Sequence, residues 1–103
     1  MDLYEIRFTE TFYQDLGEIF WHIFAELKDP FSAKNITENI IKKCYFLKLF
    51  PKSSPIKMRV GGEELRFAHV KKYIIIYCVK EKTKTVYVYR VVYARRDLGD
   101  VLF

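Results

Sequence analysis

Arg95 and Arg96 stand side by side where a run of β-branched and aromatic residues, Val86 to Tyr93, comes to an end. A rigid strand would therefore deliver two guanidinium groups into solvent together. Guanidinium groups hold carboxylates and phosphates through paired N–H donors, so this pair is the sharpest chemical feature of the chain. Arg66 and Lys72 add cations upstream, and His69 between them is an imidazole able to act as general acid or base. Tyr87, Tyr89 and Tyr93 share one face of the last strand on their spacing. Such a row could stack bases, receive a partner helix or pack into a core. Val86, Val88, Arg90 and Val92 share the other face, and a lone buried charge is costly, so Arg90 is expected in a structural ion pair.

Each of these residues has a plainer reading. Arg66, Arg95 and Arg96 could be salt-bridged, with Asp97 an obvious local partner for the pair. His69 has no carboxylate or nucleophile at a diagnostic spacing, and His22 falls on the polar face of a helix. Cys44 and Cys78 fall on apolar stripes as small core residues, possible neighbours across the core.

Composition narrows the classes. A chain of 103 residues holds one domain spanning 1–103, and 50% hydrophobic with 17% aromatic residues is far from a disordered composition. No apolar run approaches the roughly 20 residues that cross a bilayer as a helix. Met1 to Glu5 lacks the basic and apolar regions of a secretory signal. Two cysteines make neither a disulfide framework nor a metal site, so a cytoplasmic protein with no cofactor, no metal and no membrane contact is expected. Charge is divided: residues 1–50 carry six Lys/Arg against eight Asp/Glu, and residues 51–103 carry twelve against five. A basic half suggests nucleic acid or an acidic protein segment as partner, or simply a solvated basic surface.

The elements that must position these groups follow from periodicity. Tyr4, Ile6 and Phe8 alternate with Leu3, Glu5 and Arg7 as in a strand. Phe12, Leu16, Ile19, Phe20, Ile23, Phe24 and Leu27 form one face of a helix, with Asp15, Glu18, His22 and Glu26 on the other. Thr11 with Gln14 resembles a capping box, and Thr9 is an alternative cap. Asp29-Pro30 ends this helix and starts another, whose stripe is Ala33, Ile36, Ile40, Cys44 and Leu47. Strand signals resume at Lys57 to Val60, Gly61-Gly62 reads as a turn, a bulge or a break, and Leu65 to Val70 follows. Tyr73 to Val79 and Val86 to Tyr93 form a hairpin whose polar connector predicts more than a two-residue turn. The order predicts an α+β fold: an N-terminal strand, an α-helical hairpin, then a three-stranded antiparallel meander, in one mainly antiparallel sheet.

Five stretches carry a family resemblance: Asp15-Leu16-Gly17-Glu18-Ile19, Leu49-Phe50-Pro51, Leu65-Arg66, Tyr73-Ile74-Ile75-Ile76-Tyr77 and Arg90 to Leu98. Their order and spacing, over nearly the whole chain, resemble the toxins of the RelE/ParE superfamily, the poison half of type II toxin–antitoxin pairs. The closing Arg95-Arg96-Asp97-Leu98 most resembles the ParE branch. That resemblance implies inhibition of DNA gyrase without chemistry by the toxin, with Arg66, Tyr93, Arg95 and Arg96 on the target or antitoxin. The RelE branch implies cleavage of mRNA in the ribosome by attack of a ribose 2′-hydroxyl on the adjacent phosphate. Such a reaction needs a base, cations and a proton donor, roles that would fall to Arg66, His69, Lys72 and Arg95. Matching the central strands puts Ile74 where RelE has a phosphate-contacting arginine, and the C-terminal tyrosine of RelE has no counterpart, while Arg95 does match a RelE arginine. A third reading is an inactive relative that keeps only antitoxin binding. All three imply a cognate antitoxin whose acidic or apolar C-terminal segment covers the basic groove, with operator DNA reached only through that partner.

Overall fold

The computed structural model describes residues 3–95; Arg96 and Asp97 lie outside the described residues. The elements are β1 (Glu5–Phe8), α1 (Glu10–Leu27), α2 (Pro30–Leu49), β2 (Ile56–Val60), β3 (Glu63–Val70), β4 (Tyr73–Lys80) and β5 (Thr85–Tyr93). They form one five-stranded sheet in the order β1-β5-β4-β3-β2. The β2–β3, β3–β4 and β4–β5 pairs are antiparallel, and β1 lies parallel to β5. The α+β architecture with its helical hairpin is as expected, but the meander has four strands rather than three. The reason is local. Gly61 at φ +59° and Gly62 at φ +80° form a left-handed two-residue turn that pairs Val60 with Glu63, so the glycines join two strands. The β4–β5 connection is the longer loop expected, Glu81 to Lys84.

Thr9, not Thr11, caps α1. Its hydroxyl accepts from the Phe12 amide at 3.0 Å and donates to the Tyr89 carbonyl at 2.6 Å, and its own amide reaches the Val88 carbonyl at 3.1 Å. One residue thus closes the helix start and fastens it to β5. At the other end Lys28 takes a left-handed conformation and its amide bonds the Phe24 carbonyl. Asp29 then caps α2 through the Phe31 amide, with Pro30 in its first turn.

The helical hairpin packs on one sheet face around Phe12, Ile40, Cys44, Leu47, Ile75, Tyr77, Val86, Val88 and Val91, all essentially inaccessible. Ile23 is also buried, whereas Ile19 is half-buried. A second cluster on the other face holds Leu65, Phe67, Ile74, Ile76, Cys78 and Val92. Cys44 and Cys78 therefore sit in separate clusters on opposite faces and are not neighbours. Both thiols are pushed up by burial, Cys44 to about 12.

A bulge in β5 decides what each face carries. Ile76 pairs with Arg90 and Tyr77 with Val88, which leaves Tyr89 as the extra residue. Since strand side chains alternate, one inserted residue reverses every side chain after it. Tyr87 and Tyr89 stay with the second cluster, but Val91 joins the helix-side core and Tyr93 meets Tyr73 at 5.8 Å between ring centroids. The three tyrosines do not share one face.

Candidate binding groove

Arg90, displaced by the bulge, reaches toward α1. Its Nε and Nη2 donate to the two Asp15 oxygens at 2.6 and 2.8 Å, and the Val91 amide donates to the same carboxylate at 3.2 Å. This is the ion pair expected of Arg90. Asp15, however, is buried on the sheet-facing side of α1 rather than on its polar face. The sequence contains the signal, because Phe12, Asp15, Ile19 and Ile23 recur at i, i+3, i+7 and i+11. Two lone charges on two apolar surfaces find one another. The hydrogen bonds to Asp15 also raise the Arg90 guanidinium above its ordinary value, so it stays a cation.

Beyond this lock, α1 and the end of the sheet diverge and leave a groove of about 800 Å³. Glu18, His22 and Glu26 line one wall, Lys71 and Lys72 line the other, and Ile19, Ile23, Tyr73 and Tyr93 are among the residues between them. The second wall is held by its own backbone. Lys71 is left-handed at φ 51°, making the tight β3–β4 turn, and the Ala94 amide donates to the Lys72 carbonyl at 2.8 Å. That bond ties the turn to the chain leaving β5. His22 Nε2 and Glu26 Oε1 are 3.2 Å apart on the opposite wall. Burial, the facing Tyr93 phenol and the Glu26 carboxylate raise the Tyr73 pKa, so this ring stays a neutral hydrogen-bond donor.

The residues singled out by sequence divide among three places. Lys72, Tyr93 and Arg95 come together at the groove end of the sheet, with Tyr93 and Arg95 exposed. Arg66 lies in the middle of β3, four residues or about 13 Å from the β3–β4 turn. Its Nη1 donates to the Ser54 carbonyl at 2.6 Å, and beside it the Tyr77 hydroxyl donates to the Pro51 carbonyl at 2.7 Å. Both fasten the loop after α2. His69 pairs with Ile74 and so belongs to the opposite face, where it is exposed. Arg96 lies outside the described residues. Sequence reasoning missed the acidic wall, treating Glu18, His22 and Glu26 as a solvated row. The row's i, i+4, i+8 spacing beside Ile19 and Ile23 was visible, but the open angle between α1 and the sheet was not.

Comparison with known proteins agrees with this architecture. The family model described as the ParE toxin of type II toxin–antitoxin system, parDE, matches residues 6–98. No curated protein sequence matches. Among solved structures, a chain of the chromosomal ParDE system from P. aeruginosa is similar at TM-score 0.75 and 18% identity, over 90% of this chain and 98% of that one. A chain of the RelBE2 toxin–antitoxin complex from Mycobacterium tuberculosis is similar at TM-score 0.67 and 20% identity, over 89% and 99%. A free-state arginine-to-alanine double mutant of E. coli RelE is similar at TM-score 0.69 and 16% identity, over 98% and 94%. At these identities the likeness is one of fold.

Proposed function

Because this chain belongs to the ParE toxin family of type II toxin–antitoxin systems, we propose that it stops growth by binding DNA gyrase and is neutralised by a cognate antitoxin. The observation that carries the ParE-like reading is Ile74. Its position corresponds by resemblance to a phosphate-contacting arginine of RelE, and here it is 5% exposed within an apolar cluster of Leu65, Phe67, Ile76 and Val92. A ribose–phosphate cannot be stabilised by a buried hydrocarbon. The cations at the groove end that could meet a target are Lys71, Lys72 and Arg95, with Arg96 next in sequence. Operator DNA is contacted only through the antitoxin.

Induced expression read by plasmid supercoiling and by mRNA-end mapping tests this. Gyrase inhibition with intact ribosome-bound mRNA is expected, and exchange of Arg95 and Arg96 for alanine should abolish growth arrest while the fold remains. Codon-positioned mRNA cleavage with normal supercoiling would overturn it.

One observation favours the ribonuclease reading: the Ala94–Lys72 backbone bond brings the chain that carries Arg95 to Lys72, at the end of the sheet where the Tyr73 and Tyr93 rings meet. In that case exchange of Tyr73 and Tyr93 for phenylalanine, which removes the proton donors at that end of the sheet, would lower cleavage about 10²–10⁴-fold, whereas His69, on the opposite face, would not be needed.

A further inference from the structure

Helix α2 is apolar on both of its sides. Ala33, Ile40, Cys44 and Leu47 turn into the core, yet Phe31, Tyr45, Phe46 and Leu49 of the same helix are 80, 51, 40 and 53% exposed. A helix on a domain surface ordinarily gives its outer side to polar residues. The exposed residues are also ordered. Phe31, Asn35, Glu38, Lys42, Tyr45 and Leu49 recur at alternating steps of four and three, and all six are exposed. That is the spacing of a seam that packs another helix, here sustained over about 27 Å. None of the six lines the groove between α1 and the sheet.

The order of side chains within the seam names its occupant. Laid antiparallel on a second α2, about a twofold axis at the level of Ile40, the seam meets itself. Phe31 faces Leu49, Asn35 faces Tyr45, and Glu38 faces Lys42, so both central pairs are opposite in charge. A parallel copy in register would instead set Glu38 on Glu38 and Lys42 on Lys42. Within one chain these charges are little used. Glu38 has a 3.8 Å contact with Lys34, and Lys42 makes no ion pair among the described residues. A receiving surface is present as well. An open depression on α2 is lined by Phe31, Ser32, Lys34, Asn35 and Glu38. Four of these stand at i, i+3, i+4 and i+7, the positions that make a hole for a side chain of a facing helix. In the antiparallel register, Tyr45 of the second copy reaches the middle of that hole.

We infer that two copies of this chain pair through antiparallel α2 helices, with Tyr45 of each in the Phe31–Glu38 depression of the other and two Glu38–Lys42 pairs at the centre. This goes beyond the toxin reading and does not depend on it. At about 150–250 Å² for a large side chain, the exposed parts of the four apolar residues come to roughly 400 Å² per copy. With the polar residues of the seam added, the pair reaches the lower limit of a specific interface, about 1,200 Å² in total. A reversible dimer in the micromolar range is therefore expected, and it leaves the groove of each copy open.

Sedimentation equilibrium of the whole chain over about 1–300 µM measures the pairing, and charge exchange tests its register. Glu38→Lys or Lys42→Glu alone sets like charges together in both central pairs, and should raise the dimer Kd about tenfold or more at low salt and less at high salt. A mixture of the two variants restores both pairs between unlike chains, and the double exchange restores them between like chains. Each should return to within about threefold of wild type. If circular dichroism shows a charge variant to be unfolded, Phe31→Ser and Tyr45→Ser take its place, with a rise of about tenfold expected at these exposed positions. A wild-type chain that stays monomeric at about 300 µM, or a Kd equal in single and double exchanges, overturns the inference. So does a monomer whose Tyr45→Ser variant no longer binds the protein encoded by the adjoining gene, which would assign the seam to that partner.

Discussion

The two faces of the sheet bury polar atoms in opposite ways. Under the helices, a complete carboxylate–guanidinium pair is withdrawn from water, with 7% of the Asp15 side chain and 20% of the Arg90 side chain exposed. On the other face a chain of contacts runs inward from solvent. Lys80 Nζ donates to Glu63 at 2.7 Å, the Tyr89 hydroxyl donates to the other Glu63 oxygen at 2.7 Å, and the Cys78 sulfur lies 3.3 Å from that hydroxyl. Charge stays at the wet end and only a phenol and a thiol go inside. The first arrangement is a lock whose halves are costly apart, and the second is a gradient that tolerates loss of a member. The lock stands beside the groove and ties the helix that carries its acidic wall to β5.

The largest effect expected from breaking this contrast is Asp15→Ala. It deprives a partly buried guanidinium of its bidentate carboxylate and the Val91 amide of its acceptor, and should cost about 3–5 kcal/mol in denaturant unfolding. Replacing both partners, with Asp15→Leu and Arg90→Met, should recover most of that loss; failure to recover would mean that the pair specifies the packing as well as stabilising it. Next is Ile40→Ala, a fully buried side chain in the same layer, with about 2–5 kcal/mol expected. An unchanged thermal midpoint would remove the helical hairpin from the core. On the opposite face Tyr89→Phe deletes one hydroxyl from a partly wet chain and should cost only about 1 kcal/mol. A loss as large as that of Asp15→Ala would erase the distinction between the faces.

The smallest effect is one of pH. Hydrogen bonds from Lys80 and Tyr89 hold the Glu63 carboxyl below its ordinary range, and Lys52 and Tyr4 hold that of Glu81 at about 2. Carboxyls depressed in the folded state stabilise it above the ordinary carboxylate value, and that contribution is lost as pH falls through the folded value. The thermal midpoint should therefore decline from about pH 4.5 toward pH 2. Glu63→Gln with Glu81→Gln should flatten the decline, and an equally steep profile in that protein would exclude these groups as its source.

Much of this was legible in residue order because it depends on near neighbours. Helical stripes, the Asp29-Pro30 break, the strong hairpin and the expectation that Arg90 needs a partner all follow from side-chain period and the cost of burying charge. The fourth strand after the hairpin was within reach, since paired glycines suit a left-handed turn, but a break reads the same until Val60 is seen against Glu63. The cap at Thr9 was an open alternative to Thr11, decided by a carbonyl 80 residues away.

The sequence by itself determined the α+β class, both helices and the superfamily, since periodicity and motif order survive without coordinates. Only the tertiary structure decided which residues meet. The parallel pairing of β1 with β5, the identity of Asp15 as the partner of Arg90, and the separation of Arg66 and His69 from Lys72 and Arg95 are long-range outcomes. One inserted residue in β5 carries much of that decision. A bulge leaves no distinctive mark on a run of valines and tyrosines, yet it moves Tyr93 to the helix side and turns the end of the sheet into one wall of a groove.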